Sequence, residues 1–190
     1  MERYREQKKD LHMVFIDLEK AYDKVPRNVM WWAVKKHKVP TKYITLIKDM
    51  YKDAMTFVQI CDGDTTNFSI NIGLHQVSAL SPYLFALVMD EVTKDIQGEI
   101  PWCMLFAEDV VLVDESRAVV NRKLELWRRT LESKEFRLSR TKTKYMMCDF
   151  SAISHEGGDV SLDGQVVVQK DTFRYLGSVL QKDGDIDEDC

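Results

Sequence analysis

Three acids, Asp17, Glu108 and Asp109, have the surroundings that metal chemistry needs. Asp17 ends the apolar run Met13-Val-Phe-Ile16, and Glu108-Asp109 stands between two more, Trp102-Cys-Met-Leu-Phe-Ala107 and Val110-Val-Leu-Val113. Runs of this kind read as buried strands, so each acid sits where a strand should end. A carboxylate withdrawn from water there is costly unless a cation compensates it. Two such acid sites make a plausible bed for divalent metal ions, the arrangement used for phosphoryl or nucleotidyl transfer. The plainer alternative is that strand-end acids simply face solvent.

The elements that would position these acids follow from periodicity and turn chemistry. Pro26-Arg-Asn28 reads as a turn and helix cap, with helix over 29–37. Pro40-Thr41 opens a second helix whose Ile44, Ile47 and Tyr51 share a face. Residues 56–60 and 67–72 read as a hairpin about Asp62-Gly63. Ser81-Pro82 starts a long helix to about Gln97, which Gly98 and Pro101 end. Residues 102–107 and 110–113 form a hairpin with Glu108-Asp109 at its tip. Ser116 caps a helix whose Val120, Leu124, Trp127 and Leu131 make one stripe, Tyr145 to Phe150 returns as a strand, and 161–168 turns at Asp163-Gly164. The sum is an α+β domain, helices covering one face of a largely antiparallel sheet.

Composition narrows the classes. The 190 residues fit one domain with a substantial core, and 45% apolar with 31% charged residues are globular values. No apolar run approaches the roughly 18 residues that span a bilayer, and the charged start, Met1 to Asp10, is unlike a signal peptide. Cys61, Cys103, Cys148 and Cys190 are dispersed without a C-x-x-C pair, so the expectation is neither zinc nor a disulfide framework but an intracellular, reducing setting, nucleus or cytoplasm. The formal charge of −4 does not describe a strongly basic nucleic-acid binder. The acidic tail of Asp183, Asp185, Asp187, Glu188 and Asp189 more than accounts for it; taking these five charges from −4 leaves a remainder of +1, close to neutral, with basic clusters at 35–42, 122–123, 128–129 and 137–144. A nucleic-acid partner is permitted, not demanded.

Phe15-Ile-Asp-Leu-Glu-Lys-Ala-Tyr-Asp-Lys-Val-Pro26 resembles motif A of the reverse transcriptases of non-LTR (LINE-type) retrotransposons. Gly73 to Phe85 resembles their motif B, Phe106-Ala-Glu-Asp-Val-Val-Leu-Val113 motif C, Phe136 to Thr143 motif D, and Phe173-Arg-Tyr-Leu-Gly-Ser178 motif E. Together the motifs, in the family's order, cover nearly the whole chain.

The resemblance implies a polymerase palm with one domain over residues 1–190, its fingers and thumb largely absent. It implies metal-dependent transfer from a dNTP to the 3′-hydroxyl of a DNA primer on an RNA template, with Mg2+ or Mn2+ as cofactor. Asp17, Glu108 and Asp109 would be the metal ligands. Lys142 would protonate the pyrophosphate, Tyr22 would be the steric gate beneath the incoming sugar, beside the acids, and Gln76 would lie near nucleotide and template. Three positions depart from the pattern: Glu108 replaces the first aspartate of motif C, Val77 a motif B glycine, and Glu135 a glycine before motif D. The first two predict weak or absent synthesis, since a lengthened ligand and a β-branched residue both disturb close geometry. The alternative reading is a non-catalytic domain binding nucleic acid or protein, left by a retrotransposon remnant.

Overall fold

The computed structural model describes residues 1–57, 59–60, 63–75, 78–98, 102–151 and 158–188. Two compact units emerge, each assembled from separated stretches of chain. One comprises Met1–Glu19, Asp95–Ser133 and Arg137–Cys190, the other Lys20–Lys94 and Lys134–Phe136.

The first unit is built on a five-stranded sheet. Its central strand, Leu11–Ile16, pairs antiparallel with Asp109–Asp114 on one side and Lys144–Cys148 on the other. Cys103–Phe106 extends the sheet beyond Asp109–Asp114. Val168–Gln169 pairs parallel with Lys144–Tyr145 at the far edge, so the sheet is mixed rather than wholly antiparallel. All six residues of the central strand are buried, because both sheet faces are covered. On one face Leu11, Met13 and Phe15 join Val111, Val113, Met146 and Cys148 in a core that Phe173, Tyr175 and Leu180 pack against. Alternation sends Val14 and Ile16 to the opposite face. The helix Arg117–Glu132 lies against the sheet, and its Val120, Leu124, Trp127 and Leu131 stripe is buried as its spacing predicts.

Turns account for the differences from the sequence reading. Asp163 and Gly164 both take positive φ, 52° and 74°, the two-residue turn that Asp-Gly favours. In the motif C hairpin Phe106 pairs with Asp109, so the tip is Ala107-Glu108, one residue earlier than expected. Ala107 accepts the positive φ there, 51°, and Asp109 becomes the first residue of its strand.

The second unit holds three helices, Arg27–Lys36, Thr41–Tyr51 and Ser81–Thr93. The first begins at Arg27, directly after Pro26, so Asn28 lies within the helix and does not cap it. The third stops at Thr93, four residues short of the expected end. The hairpin forms as two short pairs, Met55–Thr56 with Phe68–Ser69 and Gln59–Ile60 with Gly63–Asp64; Asp62 of its expected turn lies outside the described residues. Arg27 organises the segment that opens motif B. Its guanidinium donates to the carbonyls of Gly73 (3.0 Å), Tyr51 and Ile70 (3.4 Å each) and lies 4.3 Å over the Tyr51 ring. Burial lowers its pKa, and Tyr51 works in the opposite direction.

Glu135 occupies φ 68°, the left-handed conformation that a glycine there would adopt freely. An L-residue in that region costs roughly 1–2 kcal/mol, and the Glu135 side chain is exposed, so little packing is lost with it. Glu135→Gly is therefore expected to stabilise the chain by about 0.5–1 kcal/mol after the entropic cost of glycine. Urea unfolding checks this; a destabilised variant would refute it.

Candidate active site

The strand ends of the first unit bring Asp17 of motif A beside Asp109 of motif C. Ile16 pairs with Val110, which sets Asp17 beside Asp109 at the end of two neighbouring strands. Asp17, Asp109 and Lys142 line one small pocket with Phe15, Ile16, Val110, Phe173 and Tyr175. The Lys142 ammonium lies 3.9 Å from Asp17 Oδ1. The other oxygen, Asp17 Oδ2, is buried without a hydrogen-bond partner. An acceptor in that condition is costly and calls for a cation or a donor.

The acids also sense one another. Partial burial raises the Asp17 pKa; Lys142 opposes this, while Glu108 and Glu19 reinforce it. Burial raises Asp109 too, and Glu108 and Asp17 add to it. Asp109 is largely exposed and keeps much of its hydration, so Asp17 is the acid whose titration weighs more on folding. Glu108, at the hairpin tip, is half-buried.

These shifts fix the sign of a pH effect. Carboxyls that titrate above their ordinary value of 3.8 hold more protons folded than unfolded in that window. Stability contributed here is therefore present below 3.8 and lost as pH rises through the raised values. Divalent cations bind the ionised forms and reverse the penalty. Melting curves should show a Mn2+-dependent rise in Tm near pH 7 that shrinks toward about pH 4, and Asp17→Asn should flatten it. A rise independent of pH would contradict this assignment.

Among the described residues no three His, Cys, Asp or Glu side chains gather as a ready metal-holding group. The donor set nevertheless suits magnesium, which commonly takes one or two carboxylates and completes its shell with water and substrate phosphates. The partnerless Asp17 oxygen, with a second carboxylate lining the same pocket, fits that requirement.

The remaining residues of the sequence reading fall elsewhere. Tyr22, in the second unit, is half-buried and stacks on Phe85 with centroids 4.6 Å apart. Gln76 and Val77 lie outside the described residues. The approach to them is described: Tyr51 stacks on His75 at 4.1 Å, and the Ser81 hydroxyl donates to the His75 carbonyl. Sequence reasoning missed the aromatic wall of the acid pocket. Phe173 stacks on Phe15 at 4.0 Å, and Tyr175 lies 6.0 Å from the same ring. Their i, i+2 spacing in motif E was the available signal, since such residues share a strand face. Ser139 and Thr143, which hold the Asp17 backbone, were missed as well.

Comparison with known proteins places this architecture. The family model described as reverse transcriptase (RNA-dependent DNA polymerase) matches residues 1–180. A Pol polyprotein of the type-1 retrotransposable element R2 from Popillia japonica is 24% identical over 196 residues, covering 93% of this chain and 32% of that relative. The R2 polyprotein of Nasonia vitripennis is 27% identical over 117 residues, 57% of this chain and 11% of the relative. The chain thus spans between about a tenth and a third of these relatives' lengths. Among solved structures, telomerase of Candida tropicalis with a TWJ fragment of telomeric RNA superposes with a TM-score of 0.70 at 13% identity, over 95% of this chain and 30% of that one. Telomerase of Candida albicans gives 0.67 at 12% identity, over 99% and 33%. At such identities the structural likeness speaks for the fold, a polymerase palm. With a family match along nearly its full length, the chain belongs to the reverse transcriptase (RNA-dependent DNA polymerase) family.

Proposed function

We propose that the acid pocket is a nucleotidyl-transfer site that adds a dNTP to the 3′-hydroxyl of a DNA primer on an RNA template. The observation that carries this reading is the buried, partnerless Oδ2 of Asp17, a residue that shares a pocket with Asp109 and Lys142. Family members generally depend on divalent metal. Asp17, Asp109 and the adjacent Glu108 would hold Mg2+ or Mn2+, which supplies charge neutralisation at the attacking hydroxyl and the leaving pyrophosphate. Lys142 carries the proton for the leaving pyrophosphate, from an ammonium already beside Asp17. Tyr22 would exclude a 2′-hydroxyl, and Gln76 would contact nucleotide and template. Glu108 is one methylene longer than aspartate, and a ligand displaced by ~1 Å can lower rates about 100-fold. Val77, where glycine would permit close backbone approach, compounds the loss.

Primer extension on an RNA template tests this. The unmodified 190-residue chain is expected to give little or no product with Mg2+ or Mn2+. Val77→Gly combined with Glu108→Asp should tighten Mn2+ binding about threefold or more, a gain larger than any in synthesis. Any product formed should vanish with Asp17→Asn. Extension that survives Asp17→Asn, or no Mn2+ binding by either form, would overturn the assignment.

A further inference from the structure

The turn between Arg137 and Thr143 closes a ring of hydrogen bonds on the backbone of Asp17. Ser139 N–H donates to the Asp17 carbonyl at 2.8 Å, and Thr143 N–H donates to the Ser139 carbonyl at 2.9 Å. Asp17 N–H completes the ring through a longer contact of 3.4 Å to the Thr143 hydroxyl. Both sides of the Asp17 peptide are thereby held by one turn more than 120 residues away in sequence. The pairing continues on either side, with Leu18 bridging Leu138 and Glu19 N–H donating to the Arg137 carbonyl. Ser139 and Thr143 are both buried, so water competes little for these bonds.

Ser139 has one further group, and it points to Lys142. Its hydroxyl oxygen accepts the Lys142 N–H at 3.2 Å and lies 3.4 Å from the Thr141 hydroxyl. The Lys142 side chain is 73% exposed, so its reach toward Asp17 is governed by where its backbone is anchored. One residue thus addresses both chemical groups, the Asp17 peptide through its N–H and the Lys142 peptide through its hydroxyl.

We propose that Ser139 is a positioning residue that sets the Lys142 ammonium against the Asp17 carboxylate, with Thr143 fixing the carboxylate's own backbone. This rests on the nucleotidyl-transfer reading for its purpose, but its geometry is separable. Ser139→Ala removes only the hydroxyl and keeps both backbone bonds of the ring, so it frees Lys142 while leaving Asp17 held. Thr143→Val removes only the acceptor of the Asp17 N–H, in a side chain of the same shape, and frees Asp17.

The test uses the 190-residue chain with Mn2+ as the probe. In the metal-free protein, hydrogen exchange at the Lys142 amide should accelerate in Ser139→Ala about tenfold, the equivalent of losing one hydrogen bond. Ser139→Thr, which keeps a hydroxyl, should restore protection. With Mn2+ added, paramagnetic relaxation at the Lys142 side chain should weaken in Ser139→Ala while Mn2+ affinity stays within about twofold. Thr143→Val should do the reverse, weakening Mn2+ binding about three- to tenfold. A general loss of structure would move both readouts together with the melting temperature. Should Thr143→Val fail to fold, Ser139→Ala and its threonine partner still decide the proposal. Unchanged Lys142 exchange and relaxation in Ser139→Ala would overturn it. Absence of Mn2+ binding to the unmodified chain would overturn the metal reading instead, and the exchange measurement would still judge the anchor.

Discussion

Asp17→Asn is expected to abolish saturable Mn2+ binding, with at least a ~100-fold rise in Kd. The amide keeps the size and one acceptor oxygen but loses the charge, and divalent cations of this class draw most of their affinity from charged oxygen ligands. The position also offers the cation what water cannot, an acceptor that is buried and has no hydrogen-bond partner. Asp109→Asn should weaken binding less, because Asp109 is exposed. Folding should survive both changes. Removing a carboxylate whose ionised form is penalised by burial and by neighbouring acids relieves repulsion in the metal-free chain. Electron paramagnetic resonance titration of free Mn2+ reads the affinity directly. An Asp17→Asn chain that binds Mn2+ like the unmodified one would remove the metal from this pocket.

Gly73→Ala is expected to destabilise the second unit by about 2–4 kcal/mol, the sum of a left-handed backbone penalty and a steric clash. Gly73 sits at φ 81°, and a Cβ built there would lie 2.5 Å from the Asp23 carbonyl oxygen. That oxygen is backbone, with no flexible end to swing away. The surrounding chain is pinned as well: Gly73 N–H donates to the Val25 carbonyl at 2.9 Å, Leu74 N–H to the Tyr22 carbonyl at 2.8 Å, and the Gly73 carbonyl receives Arg27. Relief of the clash must break one of these bonds. Urea titration followed by tryptophan fluorescence suits the measurement, since Trp31 and Trp32 belong to this unit. A change below about 0.5 kcal/mol, the range of ordinary surface substitutions, would show that the segment yields more easily than its bonds imply.

These two residues also mark what could be read from sequence. Asp17 was legible because an acid ending an apolar run is an energetic anomaly visible in one dimension. The Val120, Leu124, Trp127 and Leu131 stripe and the Asp163-Gly164 turn were legible for a similar reason, each being a local pattern with one favourable conformation. Ser139 was not, because its N–H bond to the Asp17 carbonyl is one that any residue but proline could make, and the reach of its hydroxyl to the Lys142 N–H follows from the fold of the turn. The parallel pairing of Val168–Gln169 was hidden likewise: backbone ladders carry no side-chain signature. Gly73 was read as part of a motif, but its need for glycine depends on the approach of Asp23, which only three dimensions reveal. Glu135 teaches the converse. The backbone there keeps a conformation suited to glycine although the side chain has changed, so a motif's shape can outlast its residue.

The order of strands in the sheet has a consequence for how the chain is made. The central strand Leu11–Ile16 leaves the ribosome well before either of its partners, Asp109–Asp114 and Lys144–Cys148. At a synthesis rate of roughly 5–20 residues per second, its two ladder edges stay open for several seconds at least. Throughout that interval Leu-His-Met-Val-Phe-Ile is an apolar, β-prone, uncharged segment of the length that stacks readily with copies of itself. The flanking charges of Lys8, Lys9, Asp10 and Asp17 are then its gatekeepers, and Asp17 would guard the nascent chain against aggregation before it could hold any cation.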